Sequence, residues 1–294
     1  MRKIDHLYII GNGFDRYHGL MTGYNHFREY VRQNDIKLFE LIEKYYNYKQ
    51  KDFWYNFEEN LAMLDDDNIR EYCINYLEDY GCDNWRDAYH HDYQYEISRI
   101  IESLTDRLYS VFEEWLSSID ISNVSKRGII LDKDAFFLSF NYTQTLEKVY
   151  NIPKNHILHI HGKYDNNQKE KLIYGHGGYD YTLDKNIEDP RVYEGEKIIM
   201  DYFYTTTKPV KQIIHRNRKF FYKMISDIKK ITIIGHSMNV IDYPYFKRIC
   251  NNISSKVDWT YYYYSIEDIW RCLVSLNSRL RIDSDTIHFL PYSL

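Results

Sequence analysis

The chain has 294 residues, is 44% hydrophobic and 28% charged, and carries a net charge of −5. That length supports a large core, either one large domain or a domain with an insertion, and the overall charge gives no global attraction to nucleic acid or membranes. The four cysteines, Cys73, Cys82, Cys250 and Cys272, form no Cys-x-x-Cys pair, which argues against structural zinc; with no signal peptide or membrane-length apolar run, a reducing cytoplasm is the expected setting.

Leu7, Tyr8, Ile9 and Ile10 form a short apolar run that predicts a central strand buried on both faces. Gly11-Asn12-Gly13 ends it. A strand, a Gly-x-Gly turn and a following helix together suggest nucleotide binding, because free N–H groups in such a turn suit a phosphate. The match is partial: Arg16 stands where the dinucleotide fingerprint has a third Gly or Ala, and no Gly-Lys-Ser/Thr follows.

A helix is predicted from near Thr22, with Tyr24, Phe27, Tyr30 and Val31 on one face. The stretch 36–127 reads as almost wholly helical. Its stripes are Leu38, Leu41, Ile42 and Tyr45, then Trp54, Phe57, Leu61 and Leu64, then Ile97 through Trp115; 79–95 reads as loop or irregular helix. Strand patterns return at 135–140, 157–160, 172–174, 231–234, 257–264 and 286–290. Helices are expected between several of them, at 143–150, 210–228, 241–251 and 266–280. The alternation predicts an α/β fold: a Rossmann-like, mainly parallel sheet with helices on both faces. Residues 1–35 and 128–294 are assigned to this core and 36–127 to a helical insertion.

In an open parallel sheet, ligands bind beyond the carboxyl ends of the strands. Four strand ends carry polar groups there: Gly11-Asn12-Gly13, Ser139-Phe140-Asn141, His159-Ile160-His161-Gly162 and Gly235-His236-Ser237. Asn141 suits a ribose hydroxyl or an attacking water, or simply a helix cap. His161 suits a general base, or a core histidine with an ordinary partner. His156, His159 and His161 also raise a metal, but only two of them share a strand face and no carboxylate is near in sequence, so no metal is expected.

Rival chemistries can be read from other residues. The order Ser237, Asp258, His288 fits the triad order of α/β hydrolases, although Asn239 replaces the last Gly of Gly-x-Ser-x-Gly. Arg86 and His91 have the Arg-x4-His spacing of some helical ribonucleases. Glu58, on one face with Trp54 and Leu61, needs a cationic partner or lines a site. The run Tyr261–Tyr264 reads as an amphipathic strand rather than a base-stacking platform.

As an ordered set, 9–27, 54–61, 138–147, 158–163, 172–177 and 233–246 resemble the AbiH family of phage abortive-infection proteins. That pattern is in turn similar to a divergent sirtuin-like NAD-consuming domain. The resemblance implies that Gly11, Asn12, Gly13, Phe14 and Asp15 form the phosphate turn, with Gly19-Leu20 downstream. It implies that Asn141 and Tyr142 hold the nicotinamide ribose, that His161 with Gly162 supplies the catalytic histidine, and that Gly235, His236 and Ser237 contact the adenosine part with Asp242 beside them. The absent four-cysteine module argues against deacetylation, and Asp15 beside a pyrophosphate would be repulsive. The implied activity is cleavage of the nicotinamide–ribose bond of NAD+, with Asn141 and His161 catalytic and no metal. Implied partners are NAD or a related nucleotide and a phage-derived trigger or second defence protein. No membrane is implied. The helical insertion would serve as lid, gate or homo-oligomer surface, and a non-catalytic nucleotide-sensing module is the alternative from another class.

Overall fold

A computed structural model describes residues 4–46, 53–83, 85–165, 171–253 and 256–292. The chain divides into two compact units: Met1–Gly23, Leu116–Ile173 and Pro209–Leu294 form the first, and Tyr24–Trp115 with Tyr174–Lys208 the second. No helix among the described residues is long and apolar enough to cross a membrane.

In chain order the elements are β1 (His6–Ile10), α1 (Asn12–Tyr17), α2 (Tyr24–Asn34), α3 (Ile36–Tyr45), α4 (Phe57–Asn60), α5 (Asp66–Cys73), α6 (Asp92–Glu102), α7 (Leu108–Ser117), β2 (Phe136–Ser139), α8 (Thr145–Lys148), β3 (Ile157–His159), α9 (Pro190–Thr206), α10 (Val210–Arg216), β4 (Lys230–Ile234), α11 (Tyr243–Cys250), β5 (Asp258–Tyr263), α12 (Ile266–Leu273) and β6 (Ile287–Pro291).

In the first unit all six strands join one parallel sheet in the order β3-β2-β1-β4-β5-β6. This is the doubly wound dinucleotide-fold order, with its switch point between β1 and β4. Alternating residues of β1 enter two separate cores. Leu7 and Ile9 pack with Leu138, Ile231, Ile233 and Phe246, while Tyr8 and Ile10 pack with Phe137, Leu146 and Ile234. A strand buried on both faces must be apolar at successive positions, which is why the run at 7–10 reads so clearly.

The expected strand at 172–174 is not formed. Ile173 N–H donates to the His161 carbonyl at 2.9 Å, so the segment straps the end of β3 without forming a seventh strand. Two expected long helices, 210–228 and 266–280, instead end in wide π-type turns at Phe220–Met224 and Val274–Arg279, and the one at 143–150 shrinks to the single turn α8.

The second unit is helical. Ile97, Ile100, Leu104, Leu108, Val111 and Phe112 are all buried along α6 and α7, which a π-type turn at Ser103–Arg107 joins. The ring of Phe27 meets those of Phe57, Phe112 and Trp54 at 5.3–5.6 Å, an edge-to-face aromatic core. Helix α9, unmarked in the sequence reading, is its longest element. Asp189 caps it, accepting from Arg191 N–H at 2.8 Å, and Pro190 occupies its first position. Both are standard helix-start signals, and the cap contributes about 1 kcal/mol.

Candidate functional site

The register aligns the carboxyl ends of β3, β2, β1 and β4 along one edge of the sheet, so the four polar strand ends converge in the first unit. At the switch point the ends of β1 and β4 interlock through their backbones. Gly11 N–H donates to the Ile234 carbonyl at 2.9 Å, Gly13 N–H to the Gly235 carbonyl at 2.8 Å, and Phe14 N–H to the Gly11 carbonyl at 2.9 Å. A Cβ on Gly11 would stand 2.5 Å from His236 Cα, and one on Gly13 2.7 Å from Gly235 Cα. Gly235 itself has φ +69°, and a Cβ there would stand 2.1 Å from Phe14 N.

The glycines therefore serve the crossing of two chain segments. The amides of Gly11, Gly13 and Phe14 each bond within the protein. Asn12 turns aside, its Nδ2 donating to the Thr22 carbonyl at 2.7 Å, and Gly19, at φ +83°, ends the α1 segment.

Asp15 is 1% exposed and faces the β2 end. Its carboxylate accepts from Thr143 Oγ1 at 2.5 Å and Thr145 Oγ1 at 2.7 Å, and Asn141 also bonds to it. Burial raises its carboxyl to about 6, against the opposing pull of those three hydrogen bonds. Asp15 thus ties α1 to the loop after β2. Asn141 is 5% exposed, and its Oδ1 has no hydrogen-bond partner among the described residues. A buried acceptor without a donor costs about 1–3 kcal/mol, so it is a place where a hydroxyl or water is favoured.

His159 is fixed on both sides. Nδ1 faces the Asn141 carbonyl at 3.1 Å and Nε2 faces Glu147 Oε1 at 3.1 Å. Lys163 Nζ donates to the same Glu147 oxygen at 2.8 Å. Burial favours the neutral Glu147 carboxyl, but the hydrogen bond and charge of His159, joined by Lys163, prevail and hold it down at about 2. His156 is remote from this group and bonds the Lys133 carbonyl at 3.0 Å.

His161 and His236 flank one carboxylate. Asp242 Oδ2 lies 3.3 Å from His236 Nε2, and Oδ1 lies 3.9 Å from His161 Nε2. Met238 N–H donates to His236 Nδ1 at 2.9 Å, so that nitrogen is an acceptor and the ring's proton sits on Nε2, facing Asp242. Phe140 packs edge-to-face against both imidazoles, with ring centroids 5.3 Å from His161 and 4.3 Å from His236. Both rings are nearly sealed, at 3% and 4% exposure. Gly162 follows at φ +80°, where a Cβ would meet the Lys171 carbonyl at 3.0 Å, and Tyr142 OH donates to the Ile173 carbonyl at 2.8 Å.

The serine triad is not assembled. Ser237 lies beyond the carboxyl end of β4, whereas Asp258 opens β5 and pairs with Lys230 at the opposite end. At about 3.3 Å per residue the strand holds them more than about 13 Å apart. His288 pairs with Thr260, also toward that far end.

In the second unit, Glu58 has a cationic partner: its Oε2 accepts from Lys208 Nζ at 2.6 Å and its Oε1 from Tyr24 OH at 2.8 Å. Arg86 and His91 are both exposed, and no hydrogen bond or ion pair joins them. Thr145, Glu147 and Lys163 went unread as site neighbours. The Thr-x-Thr that follows Asn141 was the available signal, though nothing in the sequence pointed it at Asp15.

A family model described as Bacteriophage abortive infection AbiH matches residues 7–263. No curated protein and no solved structure matches the chain.

Proposed function

The chain belongs to the AbiH family of bacteriophage abortive-infection proteins, and on that footing we propose that it is an effector that cleaves the nicotinamide–ribose bond of NAD+. The observation that supports this reading is the buried line His161–Asp242–His236 at the strand ends next to the switch point, with the buried, unpartnered Oδ1 of Asn141 at the neighbouring strand end. Dinucleotides occupy that crevice in sheets of this order.

Departure of nicotinamide leaves an oxocarbenium-like ribose that a water captures. His161 is the general base, taking a proton from that water or from a ribose hydroxyl. Asp242, held on its other side by His236, stabilises the imidazolium that forms. The Asn141 Oδ1 accepts from the ribose hydroxyl or the water and so fixes the line of attack. With the turn amides engaged elsewhere, side chains supply the contacts to the pyrophosphate. Because His161, His236 and Asn141 are 3%, 4% and 5% exposed, substrate reaches them only after a rearrangement. A phage-derived trigger or partner protein is the agent assigned to that opening.

The test follows nicotinamide release from NAD+ with purified protein, alone and in infected-cell extract. Release that disappears in His161→Ala supports the reading. Calorimetric binding without turnover would indicate a sensing module, and protection from phage that survives His161→Ala would overturn the catalytic role.

A further inference from the structure

A surface groove of about 630 Å3 lies in the first unit, lined by Lys211, Arg218, Lys219, Lys223 and Arg248 together with Tyr222. Five cations share one concavity on a chain whose net charge is −5. None of them is in an ion pair among the described residues. The concentration is written in the sequence: 209–226 holds five Lys or Arg and no Asp or Glu. Positions 211, 215, 218, 219, 222 and 223 recur at the three- and four-residue intervals of a single helical face.

Like charges gathered without counter-charges repel one another, so the groove favours a polyanionic occupant. Tyr222 narrows the choice. It is 49% exposed, and the Arg248 guanidinium lies 5.1 Å from its ring centroid, on one face. A half-exposed aromatic ring flanked by cations is the pairing that single-stranded nucleic acid uses, with phosphates on the cations and a base on the ring. A duplex keeps its bases stacked and offers nothing to the tyrosine. A membrane surface calls for an apolar face free to insert, but here that face is spent: Ile213, Phe220 and Phe221 are buried in the core behind the groove.

We propose that the groove formed by α10, the turn after it and α11 binds single-stranded nucleic acid, through phosphate contacts to Lys211, Arg218, Lys219, Lys223 and Arg248 and stacking on Tyr222. This surface is separate from the His161 site and does not depend on what that site does.

The experiment measures fluorescence anisotropy of a labelled oligo-thymidylate of about sixteen nucleotides with the full chain, over a series of salt concentrations. Binding is expected to weaken steeply with salt. The double variant Lys219→Ala/Lys223→Ala is expected to bind about tenfold more weakly, with a log–log salt slope shallower by about 1.4. Tyr222→Ala is expected to bind about tenfold more weakly with the slope unchanged, and Tyr222→Phe to bind like wild type. All the substituted side chains are exposed, so matching thermal transitions confirm the fold. No binding at low salt, equal or tighter binding of the matching duplex, unchanged affinity in the double variant, or capture by phosphatidylserine vesicles in preference to the oligonucleotide would each overturn the proposal.

Discussion

The carboxylate of Asp242 lies 3.3 Å from Nε2 of His236, whose other nitrogen is already occupied by a backbone N–H. On the proposed mechanism that contact orients Asp242 toward His161, which makes His236 a positioning residue. If the proposed NAD+ cleavage holds, Asp242→Asn is expected to reduce it by about 10²–10⁴-fold, the usual range for acid–base machinery. His236→Asn is expected to reduce it less and to alter its pH profile. Initial rates of nicotinamide release across pH 5–9 distinguish the two, and wild-type rates in Asp242→Asn would remove this carboxylate from the mechanism.

Gly235→Ala is expected to prevent folding or to cost more than about 4 kcal/mol. Its φ of +69° is strained for any Cβ, and the added atom would stand 2.1 Å from a backbone nitrogen that cannot swing away. Gly178→Ala is the comparison. Its φ is also positive, +127°, but nothing lies within 4 Å of the new atom, so its cost is expected to stay near the local strain of about 1–3 kcal/mol. Urea midpoints of the two variants test the difference; equal losses would show that the crossing is looser than it looks.

Asp15 is an acid whose folded pKa, about 6, lies above its ordinary value of 3.8. The native state therefore holds its proton more tightly than the unfolded chain does. The associated stability is complete below about pH 3.8 and is lost as pH rises through about 6, on the order of 3 kcal/mol in all. Asp15→Asn is expected to abolish that component. The quantity to follow is the difference in unfolding free energy between wild type and Asp15→Asn from pH 4 to pH 7, which cancels the other titrating groups. A flat difference would contradict the assignment.

Glu58 and the fully buried Lys208 side chain form an ion pair at 2.6 Å. Glu58→Ala strands a buried ammonium and is expected to cost about 3–5 kcal/mol. Replacing both together, Glu58→Leu with Lys208→Met, is expected to cost far less, because no uncompensated charge remains. Thermal melts of the single and double variants decide this; additive losses would mean that the two side chains act independently.

The sheet was legible from the sequence because a doubly buried strand leaves no room for polar residues, and all six runs, at 7–10, 135–140, 157–160, 231–234, 257–264 and 286–290, form strands whose ends lie within one residue of those bounds. The run at 172–174 misled because three apolar residues can equally strap a strand end. Helix α9 was legible in principle, from Asp189-Pro190 and the buried spacing Ile199, Tyr202, Phe203 and Thr206, but its polar, tyrosine-rich face obscured the period. The π-type turns are invisible to a 3.6-residue template. At the site, the strand ends were legible and their partners were not. Asp15 meets Thr143 and Thr145 across about 130 residues of chain, a contact set by the sheet order. The turn glycines were read as room for a ligand, where the close neighbour is another piece of backbone.

The crossing of 11–14 and 235–236 also bears on how this corner can drift. At each of three glycines the obstacle to a side chain is main chain, which no second substitution can trim. A larger residue at one of them finds no compensating smaller residue elsewhere. The junction between the two halves of the sheet is therefore fixed as a unit, while change is left to the side chains around it.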